Sequence, residues 1–208
     1  VAKLQLYCSE DLGGFYLDVL KDRLYTTAPE SLARRSAQTA LHQITHAMLR
    51  WMAPFLSFTA EEAWKIFGHS DSIFLETFSA LGQSDDGLLA KWSRIREIRD
   101  AVNKEIEALR AAGQVGASLQ ACVTLTVAPE DHALLASLGG DLKFVFITSN
   151  IELIAGSALK VSTRASSDAK CERCWHYSDD VGHDAAHPTL CGRCTSNLFG
   201  SGEERKVA

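Results

Sequence analysis

Six cysteines punctuate this sequence, and four of them fall into two tight pairs. Cys171-Glu172-Arg173-Cys174 and Cys191-Gly192-Arg193-Cys194 give C-x2-C, sixteen intervening residues (175–190), then C-x2-C. Two thiolates on one tight turn can both reach a single ion at roughly 2.3 Å, and two such knuckles complete a tetrahedron. Gly192 is read as the residue that lets the second knuckle turn. Four thiolates leave no open coordination position, so the expected ion is a structural zinc and not a catalytic one. The 38 residues from 171 to 208 hold few large apolar side chains and could hardly fold without it; such sites contribute on the order of 10–16 kcal/mol in small peptides. His176, His183 and His187 lie nearby, but a complete thiolate set makes them unnecessary as ligands. Cys8 and Cys122 stand alone in apolar surroundings, a division that fits reduced, metal-bound thiols in a cytoplasmic protein better than a disulfide scaffold.

Arg173, Trp175 and Arg193 lie within or beside the knuckles, where a rigid metal loop would present a cationic fork and an aromatic face together. That pair of groups suits RNA bases. The alternative for Trp175 is that it packs over the knuckle as a miniature core, and the residues alone leave the two open. The tail is no basic finger, since four basic residues face six acidic ones. Lys21, Arg23, Arg34 and Arg35 form the most basic cluster further upstream, to be read either as phosphate contacts or as a solvated, salt-bridged helix face. His42 and His46 stand one helical turn apart, as in H-E-x-x-H metalloproteases, but Gln43 cannot act as a base and no third ligand is apparent. They are read as helix or bundle histidines. The chain contains no P-loop, G-x-G-x-x-G, G-x-S-x-G or paired-carboxylate arrangement, so no chemistry is expected of it.

The elements that must position these residues come in three segments. Residues 1–113 read as a helical bundle. An apolar face runs through Leu12, Phe15, Tyr16, Val19, Leu20 and Leu24; a second helix starts after Pro29, runs to about Met52 with Leu32, Ala37, Leu41, Ile44, Met48 and Trp51 inward, and is ended by Pro54. Thr59 with Glu62 reads as a capping box for a short helix through Trp64 and Phe67. The longest pattern, Leu89, Trp92, Ile95, Ile98, Val102, Ile106 and Leu109, stops at Gly113. Residues 114–169 read as a small mixed α/β region, with a strand at 121–127, a short helix near 130–138, an apolar segment at 142–147, strands at 151–154 and 158–161, and a linker at 162–170. Residues 170–208 are the four-cysteine module. The expected fold class is therefore mainly α, a helical bundle followed by a small α/β region and a C-terminal four-cysteine zinc-binding module.

A net charge of −5 argues against a strongly basic nucleic-acid surface and against attachment to anionic membrane. It leaves room for RNA recognition by stacking and base-edge hydrogen bonds. No run of 18 or more apolar residues offers a membrane span, and no secretory leader is visible. Val1 is not a start methionine, and the expectation is a segment cut from a longer chain.

Several motifs together resemble one family. F-Y-L-D-V-L-K-D-R-L-Y-T at 15–26, A-R-R-S-A-Q-T-A-L at 33–41 and W-M-A-P-F-L-S-F-T-A-E-E-A-W at 51–64 resemble the anticodon-binding helical domain of isoleucyl-tRNA synthetases, the last being shared with valyl and leucyl relatives. V-N-K-E-I-E at 102–107 and V-G-A-S-L-Q-A at 115–121 are similar to the following segment. K-C-E-R-C-W-H-Y at 170–177, C-G-R-C at 191–194 and G-E-E-R-K-V-A at 202–208 resemble the bacterial C-terminal zinc module. The resemblance implies the tRNA-binding part of an enzyme that ligates isoleucine to its tRNA with ATP and Mg and hydrolyses mischarged valine in an editing domain. Editing is needed because one methylene discriminates by only about 1–3 kcal/mol. Neither H-I-G-H nor K-M-S-K-S is present, so the catalytic and editing domains are expected upstream, and they and the isoleucine tRNA are the expected partners of a cytoplasmic monomer. The resemblance makes Cys171, Cys174, Cys191 and Cys194 the zinc ligands. It turns the open question at Arg173 and Trp175 toward anticodon-loop contact, with Arg193, Lys21, Arg23, Arg34 and Arg35 as further candidates for tRNA binding.

Two other classes compete. A formamidopyrimidine-type DNA glycosylase fragment also ends in a four-cysteine finger, but that finger normally closes the chain soon after its last cysteine, and here fourteen residues, 195–208, follow Cys194. A zinc-stabilised protein-interaction module is mildly favoured by the acidity, and would show no steep salt dependence of RNA binding. A stand-alone zinc enzyme lacks an open metal position.

Overall fold

The computed structural model of the chain describes residues 1–79 and 82–207; Ala208, the last residue of the G-E-E-R-K-V-A motif, lies outside them. By contacts the chain forms two compact units, Val1–Arg34 with Asp86–Ala208, and Arg35–Asp85. This grouping differs from the three segments read along the sequence, because the N-terminal helices, the sheet and the cysteine module share one unit.

In the first unit the chain begins as a helix in three pieces: α1 (Ala2–Leu6), a π-helical stretch (Tyr7–Leu17) and α2 (Asp18–Thr26). Within the wide π turns the carbonyl of Cys8 approaches Gly13 so closely that a Cβ there would meet its oxygen at 2.8 Å. A glycine at this point avoids that clash. α3 (Leu32–Met52) follows, with Ala33 buried and Leu32, expected inward, 76% exposed. The long helix α5 (Asp86–Ala111) belongs to the same unit. It buries Ile95, Ile98, Val102 and Ile106 completely, while Leu89, at the start of the same sequence pattern, is exposed. Each such isoleucine or valine contributes about 1.5–3 kcal/mol on burial. The helix stops as the sequence indicates: Gly113 takes φ +70°, Gln114 N donates to Leu109 O and Gly113 N to Arg110 O, a Schellman ending.

The sheet has strand order β2-β1-β3, with β1 (Ala121–Val127) central, β2 (Asn150–Ala155) parallel to it and β3 (Lys160–Ala165) antiparallel. The crossover between β1 and β2 carries α6 (Pro129–Ala136) and α7 (Leu142–Phe146). One core joins Val19 of α2, the buried face of α5, the inward side chains of β1, and Leu135, Leu142, Phe144, Val145 and Phe146. The face of α5 that reads as part of a bundle therefore packs into the α/β core. β3 also corrects the linker expected at 162–170. Ser162, Thr163 and Arg164 are loop-like by composition, but pairing with Thr124, Val123 and Cys122 makes them an edge strand.

The second unit contains the rest of α3 and α4 (Ser57–Ile66) around a small core of Leu49, Ala53, Ala60, Trp64 and Ile73. The capping box expected from Thr59 and Glu62 is not formed. The helix starts at Ser57 behind Leu56, and it is Glu61 that works, accepting hydrogen bonds from Ile73 N at 2.9 Å and Ser72 Oγ at 3.0 Å. His42 and His46 pack as ring contacts, His42 at 4.8 Å from Phe67 and His46 at 4.7 Å from Trp64, with His69 stacked on Trp64 at 3.6 Å. Burial first, then the charges of Arg50, His69 and His42, hold the His46 pKa below its ordinary value.

Candidate metal centre

A short antiparallel hairpin, β4 (Ala169–Lys170) with β5 (Tyr177–Ser178), brackets the first cysteine knuckle, and the second knuckle runs into α8 (Gly192–Phe199), whose N-cap is Cys191. Backbone bonds fix the first turn: Cys171 N donates to His176 O at 2.8 Å and Trp175 N to Cys171 O at 2.9 Å. The second turn is held from outside, by Gly192 N donating to Asp180 Oδ2 at 2.9 Å. A Cβ on Gly192 would meet that oxygen at 2.8 Å. Gly192 is not among the positive-φ residues, so the second knuckle makes no left-handed turn here; a larger residue would instead displace the Asp180 carboxylate from its bond to the residue 192 amide.

The Sγ atoms of Cys171, Cys174, Cys191 and Cys194 all lie within 4.8 Å of one another and all four residues are buried. Cys174 Sγ and Cys191 Sγ stand 3.8 Å apart. That is far too long for a disulfide, at about 2.05 Å, and it equals the edge of a tetrahedron with metal–sulfur bonds of about 2.3 Å, which is roughly 3.8 Å. The donor set fits one zinc ion. Hydrogen bonds among the thiols separate their acidities: those from Cys191 and Cys194 push Cys174 down, the bond with Cys174 pushes Cys191 up, and bonds with Cys174 and Cys191 push Cys194 up. Cys191 N donates to Cys171 Sγ at 3.4 Å and Arg173 Nη1 to Cys194 Sγ at 3.6 Å, so donors face the thiolates. No other group of three or more histidine, cysteine or carboxylate ligands converges among the described residues.

The arginines around the centre are engaged in holding it. Arg193 clasps Asp22 of α2 through Nη1 and Nη2 at 2.7 and 2.8 Å and also donates to Thr26 Oγ1 and Glu203 Oε1. Arg173 donates to the carbonyls of Thr26 and Tyr25. Arg205, 9% exposed, lies 3.4 Å over the Phe144 ring, donates to Asp22 Oδ1 at 2.8 Å and pairs with Asp141 Oδ1 at 3.2 Å. Asp141 Oδ2 also accepts from Lys206 N and Val207 N. Sequence reasoning missed this hub of Asp22, Asp141, Glu203 and Arg205; the G-E-E-R-K-V-A motif held part of it, but nothing in its spacing names its partners.

The remaining candidates are spread out. Arg23 donates to Ala33 O at 2.7 Å and Val207 O at 3.3 Å. Lys21 is exposed and paired with Asp18, Arg34 is half-buried, and Arg35 is exposed on α3 in the second unit. Trp175 is 59% exposed, so it does not form a miniature core over the knuckle. It holds a left-handed φ of +65°, which costs a non-glycine residue about 1–2 kcal/mol.

Comparison with known proteins gives two family matches: residues 1–125 match the anticodon-binding domain of tRNA ligase, and residues 169–197 match the zinc finger found in FPG and IleRS. Over its whole length the chain is 60% identical to the isoleucine-tRNA ligase of Ralstonia pickettii, 58% to that of Burkholderia multivorans and 56% to that of Thiobacillus denitrificans. It spans 23% of the length of each.

Proposed function

Because this chain belongs to the anticodon-binding domain family of tRNA ligases, we propose that it is the tRNA-holding part of an isoleucine-tRNA ligase, gripping the anticodon stem-loop. The observation that carries this reading is the co-occurrence of two matches in one chain. The zinc-finger description alone covers both a DNA-repair class and the ligase class, and the match over 1–125 separates them. Ligation of isoleucine with ATP and Mg, editing of valine, the upstream domains that perform them, and a cytoplasmic monomer are parts of the same proposal. No helix of the described residues is long and apolar enough to cross a membrane.

Within it, Cys171, Cys174, Cys191 and Cys194 hold one structural zinc, whose role is to fix the two knuckles. Trp175 is the foremost contact to the anticodon loop, being aromatic, exposed and rigidly presented. Arg173 positions that knuckle through the Tyr25 and Thr26 carbonyls and can reach RNA only with donors left over. Arg193 and Arg23 act as internal ties instead of RNA contacts, while Lys21, Arg34 and Arg35 serve as phosphate contacts. Filter binding of the zinc-loaded full-length protein to isoleucine tRNA and to an anticodon-altered copy, at two salt concentrations, tests the reading. Preference for the intact anticodon, with a salt slope from the phosphate contacts, is expected; equal affinity for both tRNAs would refute it.

A further inference from the structure

The four sulfurs of the metal centre are not equivalent. Cys171 and Cys194 are fully covered, while Cys174 is 6% and Cys191 3% exposed. Cys174, alone of the four, also lines an open cleft of about 780 Å³ where α2, α5, α7 and the first knuckle meet. A small neutral molecule the size of water has a route to that sulfur. The covered pair is shielded further by donors: Cys171 Sγ accepts the Cys191 amide at 3.4 Å, and Cys194 Sγ accepts Arg173 Nη1 at 3.6 Å. An N–H held against a thiolate draws off charge and blunts it as a nucleophile.

Cys174 and Cys191 come from different knuckles and face each other, Sγ to Sγ at 3.8 Å. To form a disulfide, at about 2.05 Å, they must approach by roughly 1.8 Å. Little opposes that movement, because only Val181 and Leu190 are packed against the cysteine cluster. A bridge within either C-x2-C turn would have to use Cys171 or Cys194, the two covered and donor-capped sulfurs. The pair that is easiest to reach is therefore the pair that links the two knuckles.

We propose that the cysteine centre is a reversible redox switch, in which a hydroperoxide closes a disulfide between Cys174 and Cys191 and empties the metal site. The Cys174 thiolate attacks the O–O bond, takes one oxygen as a sulfenic acid and expels hydroxide. Cys191 then attacks the oxidised sulfur; the S–S bond forms and a second hydroxide leaves. Two thiolates have lost two electrons, and one hydrogen peroxide has become two hydroxides. Cys171 and Cys194 remain as two donors where a closed site has four, so the ion is given up. A dithiol reductant reverses the bridge by exchange. Because the bridge ties one knuckle to the other, the emptied module keeps its ligands near one another for reloading. Trp175 follows Cys174 directly and is held by its amide bond to Cys171 O at 2.9 Å. Resting on the tRNA-holding reading above, loosening that turn takes away the fixed presentation of the indole and weakens the grip on RNA.

The test adds hydrogen peroxide stepwise to the zinc-loaded full-length protein, follows released zinc with a chromophoric chelator, blocks free thiols by alkylation and maps disulfides by peptide mass. The expected first product is the Cys174–Cys191 bridge, with one zinc released per bridge and both changes reversed by a dithiol and added zinc. Cys174→His keeps a fourth ligand of a kind that zinc accepts but cannot form the bridge, so it is expected to retain zinc at peroxide levels that empty the wild type. The disulfide map of the wild type decides the matter by itself if that variant fails to load. A first bridge within one C-x2-C turn, or zinc loss with no bridge at all, would overturn the assigned pair. All four ligands still reduced under peroxide that oxidises the half-buried Cys8 would overturn the switch. Binding of isoleucine tRNA is expected to fall about five- to a hundredfold in the bridged protein, the loss of one stacked base, and to return on reduction. Undiminished binding by the bridged form would overturn the effect on RNA. Failure of the reduced, loaded protein to prefer an intact anticodon would overturn the tRNA-holding reading and leave the bridge standing.

Discussion

Arg193, from the second cysteine knuckle, holds both carboxylate oxygens of Asp22 on α2 across 171 residues of sequence, at 2.7 and 2.8 Å. Arg205 reaches the same carboxylate from the tail, so two arginines meet one acid. None of the three side chains is more than 15% exposed. Taking charges out of water is costly, so the pair need not add net stability compared with an apolar filling, but removing one partner alone is severe.

Asp22→Ala is therefore expected to cost about 3–5 kcal/mol in urea unfolding. Asp22→Leu combined with Arg193→Met should recover most of that loss. A cost under about 1 kcal/mol for the single change, the size of an exposed pair, would show that the hub does not hold the module.

The same carboxylate sets a pH dependence. Burial alone would raise its pKa, but hydrogen bonds and charge from Arg193 and then Arg205 outweigh burial and leave it below the ordinary value. The folded value is lower than the unfolded one, so the stabilisation is complete above the unfolded carboxylate pKa, about 3.9, and drains away as pH falls through the folded value. The stability gap between wild type and Asp22→Asn should be constant from pH 7 to 5 and close below about pH 4. A gap still undiminished at pH 2.5 would contradict it; protonation of the cysteines affects both proteins and cancels in the difference.

The metal centre was legible in the sequence because its chemistry is local: two C-x2-C turns state the ligand count and geometry between them. Long periodic helices were legible for the same reason, and Ile95, Ile98, Val102 and Ile106 are all buried. What surrounds the centre was not. Arg193 reads from the sequence as an exposed RNA contact, and only the fold brings Asp22 and Glu203 to it. The edge strand at Ser162–Arg164 was hidden by composition, since antiparallel pairing with β1 supplies what propensity does not. Gly192 reads from the sequence as a turn residue, yet its backbone is not left-handed, and what lies against it is the Asp180 carboxylate. Spacing reports on neighbours in sequence, and each of these misses involves a partner at least ten residues away.

Removing zinc should dismantle the cysteine module first. Its small buried cluster consists of the four cysteines, with Val181 and Leu190 packed against them, too little apolar area to offset ordering some 30 residues at about 1–2 kcal/mol of backbone entropy each. Chelation is expected to expose the β4–β5 amides to rapid hydrogen exchange and shift Trp175 fluorescence, while β1 amides stay protected. One zinc per chain should return on titration, and Cys174→Ser should bind less than one. Unchanged exchange at Lys170 and Tyr177 after complete removal of metal would show that the module folds without it.

Trp175 allows binding and stability to be separated. Its φ of +65° is a strain that glycine would not bear, and the indole is mostly exposed, with Lys170 Nζ 5.5 Å from its ring as a surface contact. Relief of about 1–2 kcal/mol of backbone strain is set against roughly 0.5–1 kcal/mol for glycine's greater freedom in the unfolded chain and about 0.5–1 kcal/mol for an exposed cation–π contact. Trp175→Gly should therefore leave thermal stability within about 1 kcal/mol of wild type while tRNA binding weakens by the loss of one stacked base, about 1–3 kcal/mol. Trp175→Ala keeps the strain and loses the ring, so it should bind as weakly as the glycine variant and unfold more easily. If glycine proves the less stable of the two, the left-handed turn at this knuckle is not strained; if both bind tRNA like wild type, the exposed indole is not a contact.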